Sequence, residues 1–134
     1  DYCPLAIEQA LGKTSPVSVS YELQDVEKLS FPDATFDCVL DTFGLEFTLH
    51  PDAALSEMKR VCKKDGLILL LVSSTPKSRL GSAWLHLRQP ATLAQSGRFL
   101  LRDWDSLLKA QGLTPIQSLK FNFGFTTAYL IKND

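Results

Sequence analysis

Two carboxylates give the first indication of chemistry. Asp25 and Asp41 each fall just past a run of residues with strand character. In open parallel sheets, ligands bind beyond the carboxyl ends of the strands. An ionised carboxylate only accepts hydrogen bonds. Acidic groups at two neighbouring strand ends therefore predict a site for a ligand rich in hydroxyls and amines. Both lie in the stretch Gln24 to Phe43, which reads as a strand end, a tight loop, a second strand and a polar exit. Two further side chains have chemical potential. His50 is either a helix cap or a general base in a substrate site. Trp84 is either core or a substrate platform.

The rest of the chain must position these groups. With 134 residues and 45% hydrophobic content, it is one domain with a real core. A net charge of −1 gives no pull toward nucleic acid. The one basic cluster, Lys59, Arg60, Lys63 and Lys64, reads as cations at the last turn of a helix. Three cysteines without close spacing argue against a disulfide framework or a zinc site, so no metal is expected. Cys38 and Cys62 sit among apolar residues and read as buried thiols in a reducing compartment. That predicts an intracellular setting, cytoplasmic or mitochondrial. No run of ~18 apolar residues is present to span a membrane, and no signal peptide is visible. The chain opens on Asp1 rather than Met, which leaves room for an upstream segment.

Residues 4–11 predict a short helix, with Pro4 at its first position and Gly12 after its end. Val17, Val19, Tyr21 and Leu23 alternate with polar residues, a period of two that predicts a strand. Pro32 and Asp33 supply turn chemistry. Phe36 to Leu40 predicts a strand covered on both sides. Ala54, Leu55, Met58, Val61 and Cys62 recur at helical spacing after His50 and Pro51, and the Asp65-Gly66 pair is expected to stop that helix. Leu67 to Val72 is an unbroken apolar run and predicts a buried strand. Asp103 predicts an N-cap for a helix whose face carries Trp104, Leu107, Leu108 and Gln111. Ile116–Phe121 and Thr126–Ile131 predict an antiparallel hairpin turning at Asn122 to Gly124. Connections of helical length between the earlier strands predict a parallel sheet.

This arrangement resembles the class I S-adenosylmethionine-dependent methyltransferases, of the type 11 group, over nearly the whole chain. Asp1-Tyr2-Cys3-Pro4 with Ala10 resembles the family's segment leaving its second strand. Asp25-Val26-Glu27-Lys28-Leu29-Ser30-Phe31 resembles its acidic-x-x-x-Leu-Pro-Phe element after the third. Phe36-Asp37-Cys38-Val39-Leu40 resembles the fourth strand. Glu57 to Gly66 resembles the helix leading into a Pro-Gly-Gly turn, although here the turn is Lys64-Asp65-Gly66. Asp41-Thr42-Phe43-Gly44-Leu45 resembles a methyltransferase-like branch that includes mitochondrial membrane-anchored members.

The resemblance implies an α/β, Rossmann-like sheet, mostly parallel with a C-terminal antiparallel hairpin. It implies a single partial methyltransferase domain over 1–134, with 73–100 as an acceptor lid or insertion carrying Trp84. It implies S-adenosylmethionine as cofactor and a methyl acceptor of unidentified kind. Asp1 would bind the ribose hydroxyls, and Tyr2 would pack on the adenine. Asp25 would accept from the adenine amino group, and Val26 would offer its N–H to the ring. Asp41, Thr42 and Phe43 would line the methionine end. No catalytic base is assigned. The family's glycine-rich loop follows a first strand that would precede Asp1, and no glycine here has that setting. Without that loop, this chain should bind the cofactor weakly or not at all. A partner chain or a missing N-terminal segment is then expected to complete the sheet. The alternative is a methyltransferase-like scaffold without turnover inside a larger assembly, such as a mitochondrial one.

Overall fold

The computed structural model describes residues 3–74 and 102–134. In chain order they form α1 (Pro4–Leu11), β1 (Phe36–Thr42), a 3-10 turn (Leu45–Phe47), α2 (Pro51–Val61), β2 (Cys62–Ser73), α3 (Trp104–Ala110), β3 (Pro115–Phe121), a second 3-10 turn (Asn122–Gly124) and β4 (Thr126–Lys132). The strands make one sheet in the order β1-β2-β4-β3. β1 and β2 are parallel, joined through α2, and β4 is antiparallel to both of its neighbours. Three strands thus run one way. The last strand of the chain slots between β2 and β3, so β3 takes the outer edge.

The core lies on one face of this sheet. Ile68, Leu70 and Val72 of β2 stand beside Ile131, Tyr129 and Thr127 of β4, all buried. Ala54, Leu55 and Met58 of α2 and Trp104 and Leu108 of α3 complete the same cluster. α2 buries a stripe because its apolar residues recur at three- and four-residue spacing. α3 starts at Asp103, whose carboxylate accepts from Ser106 N–H at 3.2 Å and from Ser106 Oγ at 2.7 Å. Tyr129 Oη donates to Asp105 Oδ1 at 2.7 Å, which fastens α3 to β4. The hairpin turn uses Asn122 at φ 50 and Gly124 at φ 92.

Four expectations need correction. Residues 17–23 form no strand. Alternation marks two faces, but a strand also needs a neighbour, and none of the described residues pairs with this stretch. The helix before β2 ends at Val61, not at Asp65-Gly66. Its last carbonyls are claimed from elsewhere: Arg60 O by Ala34 N–H, Val61 O by Thr35 N–H, and the carbonyls of Lys59, Cys62 and Lys63 by Asn133 Nδ2. Lys63 and Lys64 therefore sit on β2 rather than in the helix's last turn, and Asp65 turns the strand at φ 62. β1 is not covered on both sides. Its Leu40 is 60% exposed, in line with Leu67, Leu69 and Leu71 of β2 on the sheet's second face. Cys38 lies on that face and is exposed, whereas Cys62 is buried as expected.

Candidate functional site

The cleft begins with a turn that has no strand to support it. Asp25 O accepts Lys28 N–H at 3.0 Å, and Asp25 Oδ1 accepts Glu27 N–H at 2.9 Å. The carboxylate thus closes its own turn and keeps further acceptor capacity, since it offers about four lone-pair sites. Gln24 closes the same loop from behind, donating to Ser30 Oγ at 2.6 Å and accepting Ser30 N–H at 3.2 Å. Val26 and Leu29 face inward, and Val26 packs against the core.

The opposite wall is the exit from β1. Asp41 lies in register with Leu70, on the core face. Its Oδ2 accepts Leu45 N–H at 3.2 Å, so the carboxylate caps the 3-10 turn that follows. A side chain on Gly44 would collide with Asp41 Oδ1, which is why this capping geometry needs glycine there. Glu46, 5% exposed, accepts the N–H of Ser73, while Trp104 Nε1 donates to Ser73 O at 2.9 Å. Arg102 donates to Leu45 O at 3.3 Å and Thr48 O at 3.0 Å. The β1 exit is thereby bolted to the end of β2 and the start of α3.

Between the two walls lies a cleft of about 750 Å³ lined by Gln24, Asp25, Val26, Glu27, Leu29 and Asp41, closed by Gly44 and Phe47 to Leu49. An apolar recess of about 290 Å³ adjoins it and shares Val26, Leu29 and Asp41. Its volume and its mix of apolar walls with a few polar groups suit a small-molecule site. Among the described residues, no cluster of His, Cys, Asp or Glu is placed to hold a metal. No described helix is long and apolar enough to cross a membrane.

Three of the expected residues meet in this cleft: Asp25, Val26 and Asp41. Thr42 does not line it; one residue along the strand from Asp41, it points to the second face beside Leu71. Phe43 is in the left-handed region at φ 61, gives its N–H to Leu71 O at 2.8 Å, and lies outside the lining. His50 precedes α2 without a side-chain cap, and its backbone N–H donates to Glu27 Oε1 at 2.9 Å. Asp1, Tyr2, Trp84 and all but the first two residues of the 73–100 segment lie outside the described residues. Sequence reasoning missed Glu46, Glu57 and Arg60. The i, i+3 spacing of Glu57 and Arg60 was the available signal, because it marks an ion pair on one helix face.

Burial pushes the Asp41 carboxyl above its ordinary 3.8; the N–H groups of Leu45 and Gly44 oppose the shift, and the nearby Glu46 charge adds to it. A carboxyl whose folded value is raised stabilises the fold most at low pH, and loses that contribution as pH rises through the folded value. Asp41→Asn keeps an acceptor for Leu45 and cannot ionise. Stability of the variant relative to wild type should therefore grow from pH 4 toward neutrality. Urea midpoints across that range check this, and parallel pH profiles would contradict it.

Comparison with known proteins accords with this geometry. The family model described as a methyltransferase domain matches residues 1–70. A curated relative, the ubiquinone/menaquinone biosynthesis C-methyltransferase UbiE of Pseudomonas aeruginosa (strain LESB58), is 37% identical over 99 residues, covering 74% of this chain and 39% of the relative. The chain spans little more than a third of the curated relatives it matches. Among solved structures, a protein of Pyrococcus horikoshii OT3 covers 100% of this chain and 69% of its own at TM-score 0.74 and 17% identity. A SAM-dependent methyltransferase of Thermotoga maritima matches at TM-score 0.60 and 20% identity, covering 81% of this chain and 61% of its own. The family model spans more than half of the chain and the curated relative is 37% identical over 74% of it, so the chain belongs to the class I S-adenosylmethionine-dependent methyltransferases, within their methyltransferase-domain family.

Proposed function

We propose that the protein carrying this chain transfers a methyl group from S-adenosylmethionine, and that the cleft between the Asp25 turn and the β1 exit seats the adenosine end. The observation that carries this is the convergence of Asp25, Val26 and Asp41 on one cleft. Asp25 supplies the anionic acceptor for the adenine amino group, and Val26 its backbone N–H and an apolar wall. Asp41 acts through the turn it caps, setting the backbone at the methionine end. Asp1 as ribose acceptor and Tyr2 on the adenine face belong to the same proposal, as do Thr42 and Phe43 at the far end.

When bound, the cofactor supplies a methyl group already activated on a sulfonium. The protein's task is then alignment of acceptor, methyl carbon and leaving sulfur. The curated relatives are named as C-methyltransferases, which favours a carbon nucleophile as acceptor. His50 follows the cleft-lining Leu49 in the chain and is the one imidazole among the described residues for a substrate that must lose a proton. The edge of β1, which no described strand occupies, and the exposed apolar residues of the second face call for cover by a partner chain or by more of the same protein. None of the described residues favours a scaffold without turnover.

Calorimetric titration of S-adenosylhomocysteine into the full-length protein tests the reading. Saturable binding with one site per chain is expected. Absence of binding by the full-length wild type rejects it.

A further inference from the structure

We propose that Glu57 and Arg60 are the positioning pair for the adenine-recognising turn, holding Asp25 and Val26 at their place in the cleft from behind. The inference rests on the cofactor reading above. It starts from a shortage: the loop from Asp25 to Thr35 belongs to no sheet. Its one internal backbone bond among those described is Lys28 N–H to Asp25 O. α2 supplies what neighbouring strands would.

Arg60 commits its whole guanidinium to this task. Nε donates to Glu57 Oε1 at 2.8 Å. Nη2 donates to Glu57 Oε2 at 2.8 Å and to Leu29 O at 3.0 Å. Nη1 donates to Phe31 O at 2.8 Å and to Asp33 Oδ1 at 2.7 Å. All five donors of the fork are thus engaged. Glu57 Oε2 also accepts Leu29 N–H at 2.8 Å. The pair therefore captures both backbone groups of Leu29, as an adjacent strand would. Glu27 Oε1 anchors the other side on His50 N–H. The turn hangs between two points seven residues apart, His50 just before α2 and Glu57 within it, about 10 Å at the helical rise. Asp25 and Val26 face the cleft from that suspension.

The Arg60 and Glu57 side chains are 30% and 19% exposed, whereas Asp33 is 79% exposed. Asp33 is therefore the dispensable arm. Lysine cannot replace Arg60, because one ammonium nitrogen cannot span a carboxylate and two separate carbonyls. The Arg60 hydrogen bond holds Glu57 below the usual carboxylate range, so the pair stays ionised wherever the protein works near neutral pH.

The test uses the full-length protein as wild type, Arg60→Lys, Glu57→Gln and Asp33→Ala. Two probes are titrated: S-adenosylhomocysteine and its inosine counterpart, which carries a carbonyl where adenine carries the amino group. Wild type should favour the adenosine form by roughly tenfold or more, since an acceptor facing a carbonyl is left unpaired. Arg60→Lys and Glu57→Gln should reduce that preference to about threefold or less, and Asp33→Ala should leave it unchanged. A preference ratio does not depend on how much of a variant is folded. Retention of the wild-type ratio in both variants overturns the positioning role. Hydrogen exchange at the Leu29 amide separates this outcome from failure of the cofactor reading. Faster exchange in Glu57→Gln at unchanged global stability supports the pair even if wild type binds neither probe. Unaltered exchange overturns it.

Discussion

Leu55→Ala is expected to remove ~2–5 kcal/mol of unfolding free energy, the range for a buried leucine that leaves a cavity behind. Leu55 is 0% exposed at the centre of the α2 stripe, within the cluster formed with Ile68, Leu70 and Ile131. The site is rigidly packed, so the surroundings will relax only in part. Typical domains hold only about 5–15 kcal/mol in total, so the loss is a large share. It will also reach the cleft, because α2 carries Glu57 and Arg60 on a neighbouring face. Urea unfolding of the full-length protein measures the first effect, and weaker S-adenosylhomocysteine binding the second. A loss below about 1 kcal/mol would mean that Leu55 is not a packing centre.

The largest functional effect is expected at Asp25. Asp25→Ala should weaken S-adenosylhomocysteine binding by roughly 10- to 100-fold, the equivalent of one hydrogen bond to a charged group. Alanine alone does not isolate the cause, because Asp25 Oδ1 also closes its own turn on Glu27 N–H. Asp25→Asn separates the two roles. The amide oxygen can still close the turn, and its NH₂ then faces the ligand's own donor. If Asp25 only shapes the loop, asparagine will bind like wild type. If it accepts from the adenine amino group, asparagine will fail nearly as badly as alanine. Calorimetry on the three proteins decides between these.

Local chemistry made part of this fold legible in the sequence. The stripe Ala54, Leu55, Met58 and Val61, the apolar run from Leu67 to Val72 and the Asp103 cap each encode a contact within a few residues. What failed depends on distant partners. The alternation from Val17 to Leu23 describes two faces but not a neighbour to pair with. The end of α2 is decided by Thr35 and Asn133, which claim carbonyls near Val61. The insertion of β4 between β2 and β3 likewise leaves no trace in either strand's own pattern. In the site, Asp25 and Asp41 were singled out as carboxylates following strand-like runs, although the run before Asp25 forms no strand, and Val26 came in only with the resemblance. Thr42 and Phe43 were named only through the resemblance, and the reversal of direction at every strand residue puts Thr42 on the opposite side of the sheet from Asp41. Arg60 was read as one cation among four, because its partners are backbone carbonyls of Leu29 and Phe31, which have no sequence signature.

The apolar second face of the sheet has a practical consequence. Leu40, Leu67, Leu119 and Phe121 expose 60%, 39%, 50% and 47% of their surface on it, beside an edge of β1 that no described strand occupies. Apolar surface next to unpaired backbone is a template for self-association. Handled without a cover over that surface, this chain would stick to itself as concentration rises, and its yield would be set by colloidal behaviour rather than by how well it folds.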